Sequence, residues 1–270
     1  MSQTRISRLF ERLRAQGRPG LIAYLTAGDP SPEHTPALVA ALERGGADLV
    51  ELGVPFSDPI ADGPVIQRGS DRALRAGTTL HTVLDIAAQI RQQSEIPLLL
   101  FTYMNPVLRY GHAALAREAA ARGIDGCLLT DLSVEEAEAY VDGMRAAGLD
   151  TVFLAAPTST RRRRELVAKY STGFVYLVSR TGVTGERESV SETVAPLVSN
   201  MREVTDLPLA VGFGISTPEQ VRAVGALADA VVVGSAIVRA IEQNGSGPQL
   251  ESRLEHLASQ LASGLPSKKT

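Results

Sequence analysis

The chain has 270 residues, of which 44% are apolar and 21% are charged, and its formal net charge is −3. This composition can fill a large buried core and excludes an intrinsically disordered chain. The negative balance argues against a nucleic-acid-binding protein, because contacts to a phosphate backbone require a basic surface.

The single cysteine, Cys127, excludes an intramolecular disulfide and fits a reducing compartment. Residues 1–18 lack the apolar core of a signal peptide. No stretch approaches the ~20 apolar residues that a membrane span needs. We therefore expect a cytoplasmic protein with neither a membrane nor a nucleic acid among its partners.

Eight short apolar runs alternate with amphipathic segments along the chain. They predict strands at 21–27, 47–53, 97–103, 126–130, 150–156, 174–179, 208–214 and 229–235. The clearest helical segments between and after them are 32–46, 134–148, 216–227 and 247–261. Aliphatic runs of this kind are typical of parallel strands covered by helices.

This alternation predicts a (β/α)8 TIM barrel, a fold whose single domain commonly has ~250 residues. An open, doubly wound sheet has the same local pattern. The strand count and the absence of a GxGxxG motif after the first strand favour the barrel. We expect one domain over residues 1–270, with extra N-terminal and loop helices and a flexible tail at 265–270.

The active site of a TIM barrel lies at the C-terminal ends of its strands. In this chain, the segments rich in glycine, proline and polar residues come directly after predicted strands, where such a site would lie. They form the loops TAGDP (26–30), GVPFSDPIADGP (53–64), SRTGVTGE (179–186), GFGIS (212–216) and GSAIV (234–238).

The last two of these loops predict a phosphate site. Each leads from an apolar strand through glycine into a helix start, where backbone N–H groups and the helix dipole favour an anion. TIM barrels often bind phosphate after their last two strands. Gly214, Gly234 and Ser235 are therefore candidate ligands, and Gly185 can complete the site. The alternative is that these glycines only permit tight turns.

Glu51 shares one face of the second predicted strand with Leu49. Burial among apolar neighbours should raise its pKa, which suits a group that both donates and accepts a proton. The alternative is a structural glutamate paired with an arginine. The next loop adds Asp58 and Asp62, and the pattern does not decide which of them faces Glu51 across the barrel mouth.

Other barrel chemistries fit less well. A Schiff-base aldolase needs a lysine on a strand, but the three lysines lie elsewhere, at Lys169, Lys268 and Lys269. A metal-dependent aldolase needs converging ligands. The four histidines are instead expected at the surface or as helix caps, at His34, His81, His112 and His256.

Two further features have simple interpretations. Cys127 lies within a predicted strand and is expected to be a small buried side chain. The four arginines at 161–164 are expected to form a solvated face. With the Schiff-base and metal-dependent reactions disfavoured, the remaining reaction type is acid–base chemistry by carboxylates on a small phosphorylated molecule.

The segment ELGVPFSDPIADGPVIQ (51–67) resembles the defining segment of the tryptophan synthase α subunit family. The resemblance covers nearly the whole chain, through LTAGDP (25–30), FTYMNPV (101–107), YLVSRTGVTG (176–185), VGFGIS (211–216) and VVVGSAIV (231–238). It implies a carbon–carbon lyase that cleaves indole-3-glycerol phosphate by a retro-aldol reaction into indole and glyceraldehyde 3-phosphate.

The resemblance also implies residue roles. Glu51 matches the general acid/base, Asp62 the carboxylate that binds the indole N–H group, and Tyr176 a tyrosine close to the acid/base. The walls of the family's indole pocket correspond to Tyr24, Phe101 and Phe213 of this chain. The family's phosphate-binding residues correspond to Gly185, Gly214, Gly234 and Ser235. Thr184 matches the loop residue that closes over the site toward Asp62. The segments that contact the β subunit include Pro55, Asp58, Pro59 and Asn105.

The implied partner is a β subunit in an α2β2 tetramer, which receives indole for tryptophan biosynthesis. No cofactor or metal is expected in this chain, and pyridoxal phosphate is expected only in the β partner. The chain departs from the family's pattern at TDLSV (130–134), where the family commonly has prolines, and at the arginine run.

Three other functions compete with this one. They are a stand-alone indole-3-glycerol phosphate lyase, a non-catalytic barrel that acts as a regulatory subunit, and another phosphosugar barrel such as an isomerase. The presence of Glu51 and Asp62 argues against the second. The VPFSDPIADGP loop argues against the third.

Overall fold

The computed structural model describes residues 3–179, 190–212 and 214–267, without the side chains of 190–193. Its strands form one parallel sheet in the order β5-β4-β3-β2-β1-β9-β8-β7-β6. The strands are β1 Gly20–Thr26, β2 Leu49–Gly53, β3 Leu98–Thr102, β4 Gly126–Leu129, β5 Asp150–Val152, β6 Leu154–Ala155, β7 Val175–Val178, β8 Leu209–Gly212 and β9 Ala230–Val233.

The sheet is a nearly closed barrel, because its two end strands are halves of one predicted strand. The strand predicted at 150–156 is interrupted at Phe153, so that β5 pairs with β4 while β6 pairs with β7. Strand β1 pairs on its other side with β9. This arrangement confirms the predicted TIM barrel and excludes the open, doubly wound sheet.

Helices follow or precede every strand position. They are α1 Arg5–Ala15, α2 Thr35–Arg44, α3 Pro64–Arg75, α4 Leu80–Arg91, α5 Met104–Tyr110, α6 His112–Ala121, α7 Glu138–Ala146, α8 Arg161–Tyr170, α9 Val190–Arg202, α10 Pro218–Gly225, α11 Ser235–Asn244 and α12 Leu250–Ala262. Within the described ranges, no helix combines the length and the apolar character needed to span a membrane.

The predicted helices are present, with shorter bounds. Two of them begin as 3-10 turns, at Pro32–His34 before α2 and at Val134–Glu136 before α7. A capping box fixes the start of helix α10. The Thr217 hydroxyl accepts from the backbone N–H of Gln220, and the Gln220 side chain accepts from the backbone N–H of Thr217. The single domain and the tail at 265–270 stay predictions, although Leu265 packs against the core.

Helix α1 closes the N-terminal end of the barrel. Its apolar face is buried among the side chains that fill the barrel interior, and the ring of Phe10 lies 5.6 Å from that of Phe174. A second, larger core lies between the strands and the outer helices. With the N-terminal end filled, the interior is accessible to a small molecule from the C-terminal ends of the strands.

Aspartates just before β2, β4 and β9 tie the N-terminal ends of the strands together. Asp125, just before β4, accepts from the backbone N–H of Leu98 at 2.8 Å and from the guanidinium of Arg91 at 2.7 Å. Arg5 of α1 reaches the same carboxylate at 3.2 Å. Asp48 and Asp229 likewise accept from backbone N–H groups at the starts of neighbouring strands. The contact between Arg5 and Asp125 joins α1 to this end of the barrel.

Replacing Asp125 with asparagine is therefore expected to lower the free energy of unfolding by about 3 kcal/mol, because it leaves Arg91 buried without its counter-charge. Urea unfolding followed by circular dichroism measures this loss. The matched control is Glu255→Gln, which breaks the exposed Arg44–Glu255 pair and is expected to cost less than about 1 kcal/mol. Equal losses in the two variants would contradict the prediction.

Candidate active site

A cavity of about 380 Å³ opens at the C-terminal ends of the strands. Residues from at least six strand ends and loops line it. Eight of the predicted site residues are among them: Tyr24, Glu51, Asp62, Phe101, Tyr176, Gly214, Gly234 and Ser235. The structure thus brings the predicted carboxylates, aromatic walls and phosphate loops into one space.

Glu51 lies on β2 and is 1% exposed. Neither of its carboxyl oxygens has a hydrogen-bond partner among the described residues. Burial raises its pKa to about 8, because the charged form loses its hydration without gaining a counter-charge. In the part of the chain that the structure describes, no arginine pairs with it, so the structural alternative loses its support. A carboxyl group in this state is protonated at neutral pH.

Two tyrosines flank Glu51. Tyr24 lies beside it in the register of β1 and β2, and Tyr176 lies on β7. Burial is the main cause that raises the pKa of both hydroxyls, and the nearby carboxylates add to it. Both tyrosines are therefore neutral at physiological pH.

Glycines at the strand ends make room for these rings. A Cβ atom on Gly53 would lie 2.2 Å from the Tyr24 hydroxyl oxygen, and one on Gly212 would lie 2.3 Å from that of Tyr176. Any side chain at these positions would displace a tyrosine from the cavity wall. The ring of Phe101 completes this wall, with an edge-on contact to Tyr24 at 5.2 Å.

Asp62 faces the cavity from the loop after β2. Its carboxylate accepts a hydrogen bond of 2.9 Å from the Tyr103 hydroxyl. Burial raises its pKa to about 6, and the bond from Tyr103 partly opposes that rise. Asp58 is exposed and bonds only to the neighbouring Ser57 hydroxyl among the described contacts. The structure therefore selects Asp62 over Asp58, a choice that the sequence pattern left open.

Tyr103 is a site residue that the sequence analysis missed. It follows β3, is 2% exposed, and packs its ring 5.1 Å from that of Phe56. Its hydroxyl accepts from the backbone N–H of Ala61 at 3.1 Å while it donates to Asp62. Its position directly after a strand was the only signal in the sequence that it could belong to the site. Its bond to Asp62, in a loop some forty residues earlier, could not be predicted from the local sequence pattern. Seven further cavity residues were also missed: Ala61, Gly63, Ile66, Thr130, Leu154, Val178 and Val232.

A separate part of the cavity wall, its anion-binding end, is formed by Gly214, Gly234 and Ser235. Gly234 precedes the first residue of α11, where the backbone N–H groups of a helix have no intrahelical acceptors. Gly214 has a φ of +77°, a conformation that side chains disfavour. This end of the cavity therefore offers unpaired donors to an anion. Gly185, Thr184 and Phe213 lie outside the described residues.

The residues predicted to contact a partner lie beside the cavity. Asp58 and Asn105 are exposed, Pro59 is half-buried and Pro55 is buried. Two apolar side chains on the same loop and on α5 are also exposed, Ile60 at 84% and Leu108 at 59%. This surface, which we call the rim, comprises Asp58, Pro59, Ile60, Asn105 and Leu108.

The arginines show one correction, and the histidines largely follow the expectation. His81 and His256 are exposed and His34 and His112 are half-buried, although the Nε2 atom of His112 is buried beside Tyr140 without a hydrogen-bond partner among the described residues. In the arginine run, the side chain of Arg164 is 15% exposed instead of solvated. Among the described residues, no group of three or more potential ligand side chains could hold a metal ion.

Comparisons with known proteins agree with this geometry. The family model described as tryptophan synthase alpha chain matches residues 10–265. A Solibacter usitatus protein named tryptophan synthase alpha chain is 68% identical over 98% of this chain and 99% of its own length. One of the same name from Geotalea uraniireducens is 50% identical over 97% and 98%.

Solved structures agree as well. A structure of Mycobacterium tuberculosis tryptophan synthase has a TM-score of 0.88 and 38% identity, and covers 97% of this chain and 98% of that one. Tryptophan synthase subunit alpha from Legionella pneumophila has a TM-score of 0.87 and 34% identity, with 97% of each chain covered.

Proposed function

The chain belongs to the tryptophan synthase alpha chain family, and from that premise we propose that it is a carbon–carbon lyase that cleaves indole-3-glycerol phosphate into indole and glyceraldehyde 3-phosphate. One observation carries the proposal: a buried, unpaired Glu51 shares a cavity with Asp62 and with the N-terminal end of α11. The cavity volume of about 380 Å³ suits such a substrate, since small-molecule sites range from about 300 to 1,000 Å³.

The two ends of the cavity support one orientation of the substrate. The phosphate group binds at Gly214, Gly234 and Ser235, where the helix N-terminus favours an anion. The indole ring then lies between the aromatic walls, near Asp62. Gly185, Thr184 and Phe213 are proposed to complete the phosphate site, the lid and the indole pocket, as in the family.

Glu51 carries out both proton transfers in the proposed reaction. With a pKa of about 8 it is protonated at neutral pH, and it donates its proton to the indole carbon that bears the glycerol chain. The resulting carboxylate takes the proton from the hydroxyl group on the adjacent glycerol carbon. That oxygen forms the aldehyde carbonyl as the carbon–carbon bond breaks, and the bonding electron pair returns to the ring and regenerates indole.

Asp62 stabilises the charge that develops on the ring. With a pKa of about 6 it is ionised at neutral pH and accepts a hydrogen bond from the indole N–H group. The negative charge favours the protonated ring, in which the nitrogen is positive. The neutral Tyr176 lies close to Glu51 in the same cavity, as the family pattern implies. The ring nitrogen thus serves as the electron sink, so the proposed reaction needs neither a lysine nor a cofactor of this chain.

Within this proposal, a β subunit covers the rim and receives indole, in an α2β2 tetramer of the cytoplasm. The exposed Ile60 and Leu108 support a protein contact there, because apolar side chains exposed together favour association. Pyridoxal phosphate belongs to that partner.

The test is an assay of the purified chain with indole-3-glycerol phosphate, in which released indole is measured with and without a β subunit. We expect slow turnover that the β subunit strongly accelerates. Turnover that is fast and insensitive to the β subunit would instead identify a stand-alone lyase. If neither mixture released indole, the proposal would be wrong.

The two carboxyl groups predict a bell-shaped dependence of kcat/KM on pH, because kcat/KM reports the pKa values of the free enzyme. Activity falls below pH about 6 as Asp62 is protonated, and above pH about 8 as Glu51 is ionised. Replacing Tyr103 with phenylalanine removes a hydrogen bond that favours ionised Asp62, so its pKa should rise and the acidic limb should move to higher pH.

Rates measured between pH 5 and 9 check this prediction. The matched control is Tyr110→Phe, which removes a hydroxyl bonded to Glu118 outside the cavity and should leave both limbs in place. An acidic limb that stays fixed in the Tyr103 variant would show that the two groups are not coupled.

A further inference from the structure

Helix α3, which begins two residues after Asp62, is held by a buried ion pair. Asp29 lies in the loop after β1, and its side chain is fully buried. Both of its carboxylate oxygens accept from Arg72 of α3, from Nε and Nη2, each at 2.8 Å. This two-point contact fixes the direction of the arginine as well as its distance.

The third nitrogen of Arg72 reaches a different helix. Its Nη1 donates to Glu242 of α11 at 3.0 Å. Arg68, one turn earlier on α3, donates to the same carboxylate at 2.6 and 2.9 Å. Arg72 therefore joins three elements, namely the loop after β1, α3 and α11.

Side chains from these elements pack closely against the backbone of α3 at Gly69. A Cβ atom there would lie 2.9 Å from Val238 of α11, 3.0 Å from the Thr26 hydroxyl and 3.2 Å from the Asp29 carboxylate. Near the cavity, Ile66 of α3 and Val238 form an apolar cluster with Tyr24. Apolar contacts alone allow one helix to slide along another. Arg72 opposes this movement, because it holds α3 to the loop after β1 at two points and to α11 at a third, and Arg68 adds a further link to α11.

Both helices lead directly into the site. The side chain of Gln67, in the first turn of α3, donates to the carbonyl oxygen of Asp62 at 2.9 Å. Helix α11 begins at Ser235, which lines the anion-binding end of the same cavity. A displacement of α3 against α11 would therefore change the distance between Asp62 and the anion-binding end.

We propose that Arg72 is a positioning residue: by joining Asp29 to Glu242 it fixes α3 against both the loop after β1 and α11, and so sets the place of the Asp62 carboxylate relative to the phosphate end of the cavity. This inference rests on the proposed function. It assigns Arg72 no contact with substrate, so its effect must pass through Asp62.

The test uses the full chain with Arg72→Met and Arg72→Lys, the second of which keeps the charge but loses the two-point contact. The control, Arg44→Met, breaks the exposed ion pair between α2 and α12. Three quantities are measured for each variant: kcat for cleavage, inhibition by glycerol 3-phosphate, and affinity for indole-3-propanol phosphate. The last is followed by indole fluorescence, which has no background because the chain contains no tryptophan.

We expect Arg72→Met to lower kcat by about 10- to 100-fold, since a displacement of about 1 Å has effects of that size. Inhibition by glycerol 3-phosphate, which reports only the phosphate end, should stay at the wild-type level. Arg72→Lys should also lower kcat, but by less. If the methionine variant does not fold, the lysine variant alone tests the inference. The control should match wild type.

A second comparison separates positioning from general destabilisation. In an Asp62→Asn background, the Arg72 variants should lose no further affinity for indole-3-propanol phosphate, because the group they position is already changed. Equal losses in both backgrounds, or a parallel loss of glycerol 3-phosphate binding, would overturn the inference. So would wild-type kcat in folded Arg72 variants. A wild-type chain that releases no indole would refute the proposed function itself, which is a separate result.

Discussion

The Glu51→Gln variant is expected to cleave indole-3-glycerol phosphate about 10³-fold more slowly than the wild-type chain, with little change in its affinity for glycerol 3-phosphate. Glutamine has the same shape, but it can neither donate the proton to the ring nor remove the proton from the glycerol hydroxyl. Because Glu51 has no hydrogen-bond partner among the described residues, the change breaks no described contact. The loss should therefore appear in kcat and not in ligand binding.

Released indole and glycerol 3-phosphate inhibition measure the two quantities on one preparation. The matched control is Glu138→Gln, the same substitution at an exposed position of α7, which should behave as wild type. If Glu51→Gln retained wild-type activity, Glu51 could not be the proton carrier.

The barrel was predictable because its signals are local. Each strand is a short aliphatic run and each helix start has its own polar or proline residues, so the alternation appears within windows of ten to fifteen residues. The division of the fifth strand at Phe153 was not predictable, because 150–156 is one continuous run in the sequence. At Phe153 the pairing changes from β4 to β7, since its carbonyl oxygen accepts from the backbone N–H of Tyr176 in β7.

The site was predictable only in part. Strand alternation places Glu51 inside the barrel, but the absence of a partner within the described ranges is a property of the assembled fold. Likewise, the sequence shows two aspartates after β2. Only the folded loop, with its contacts to Tyr103, shows that Asp62 faces the cavity. The burial of Arg164 and of the His112 Nε2 atom also depends on distant segments.

The Asp62→Asn variant is expected to lower kcat by about 10²-fold, because asparagine keeps the size and one acceptor oxygen but loses the charge that stabilises the protonated ring. Its affinity for glycerol 3-phosphate should not change, since the phosphate end is untouched. The acidic limb of the pH profile near pH 6, which we assign to Asp62, should also disappear from the residual activity.

The comparison that isolates this role is Asp58→Asn, four residues earlier in the same loop. Asp58 is exposed and does not line the cavity, so its substitution removes the same charge from the same segment without changing the site. Measured on the chain alone, kcat should fall for Asp62→Asn and the acidic limb should persist for Asp58→Asn. If both variants lost activity equally, the loop's charge in general, and not the carboxylate that Tyr103 orients, would be responsible. The chemistry assigned to Asp62 would then be wrong, while the role of Glu51 would stand on its own test.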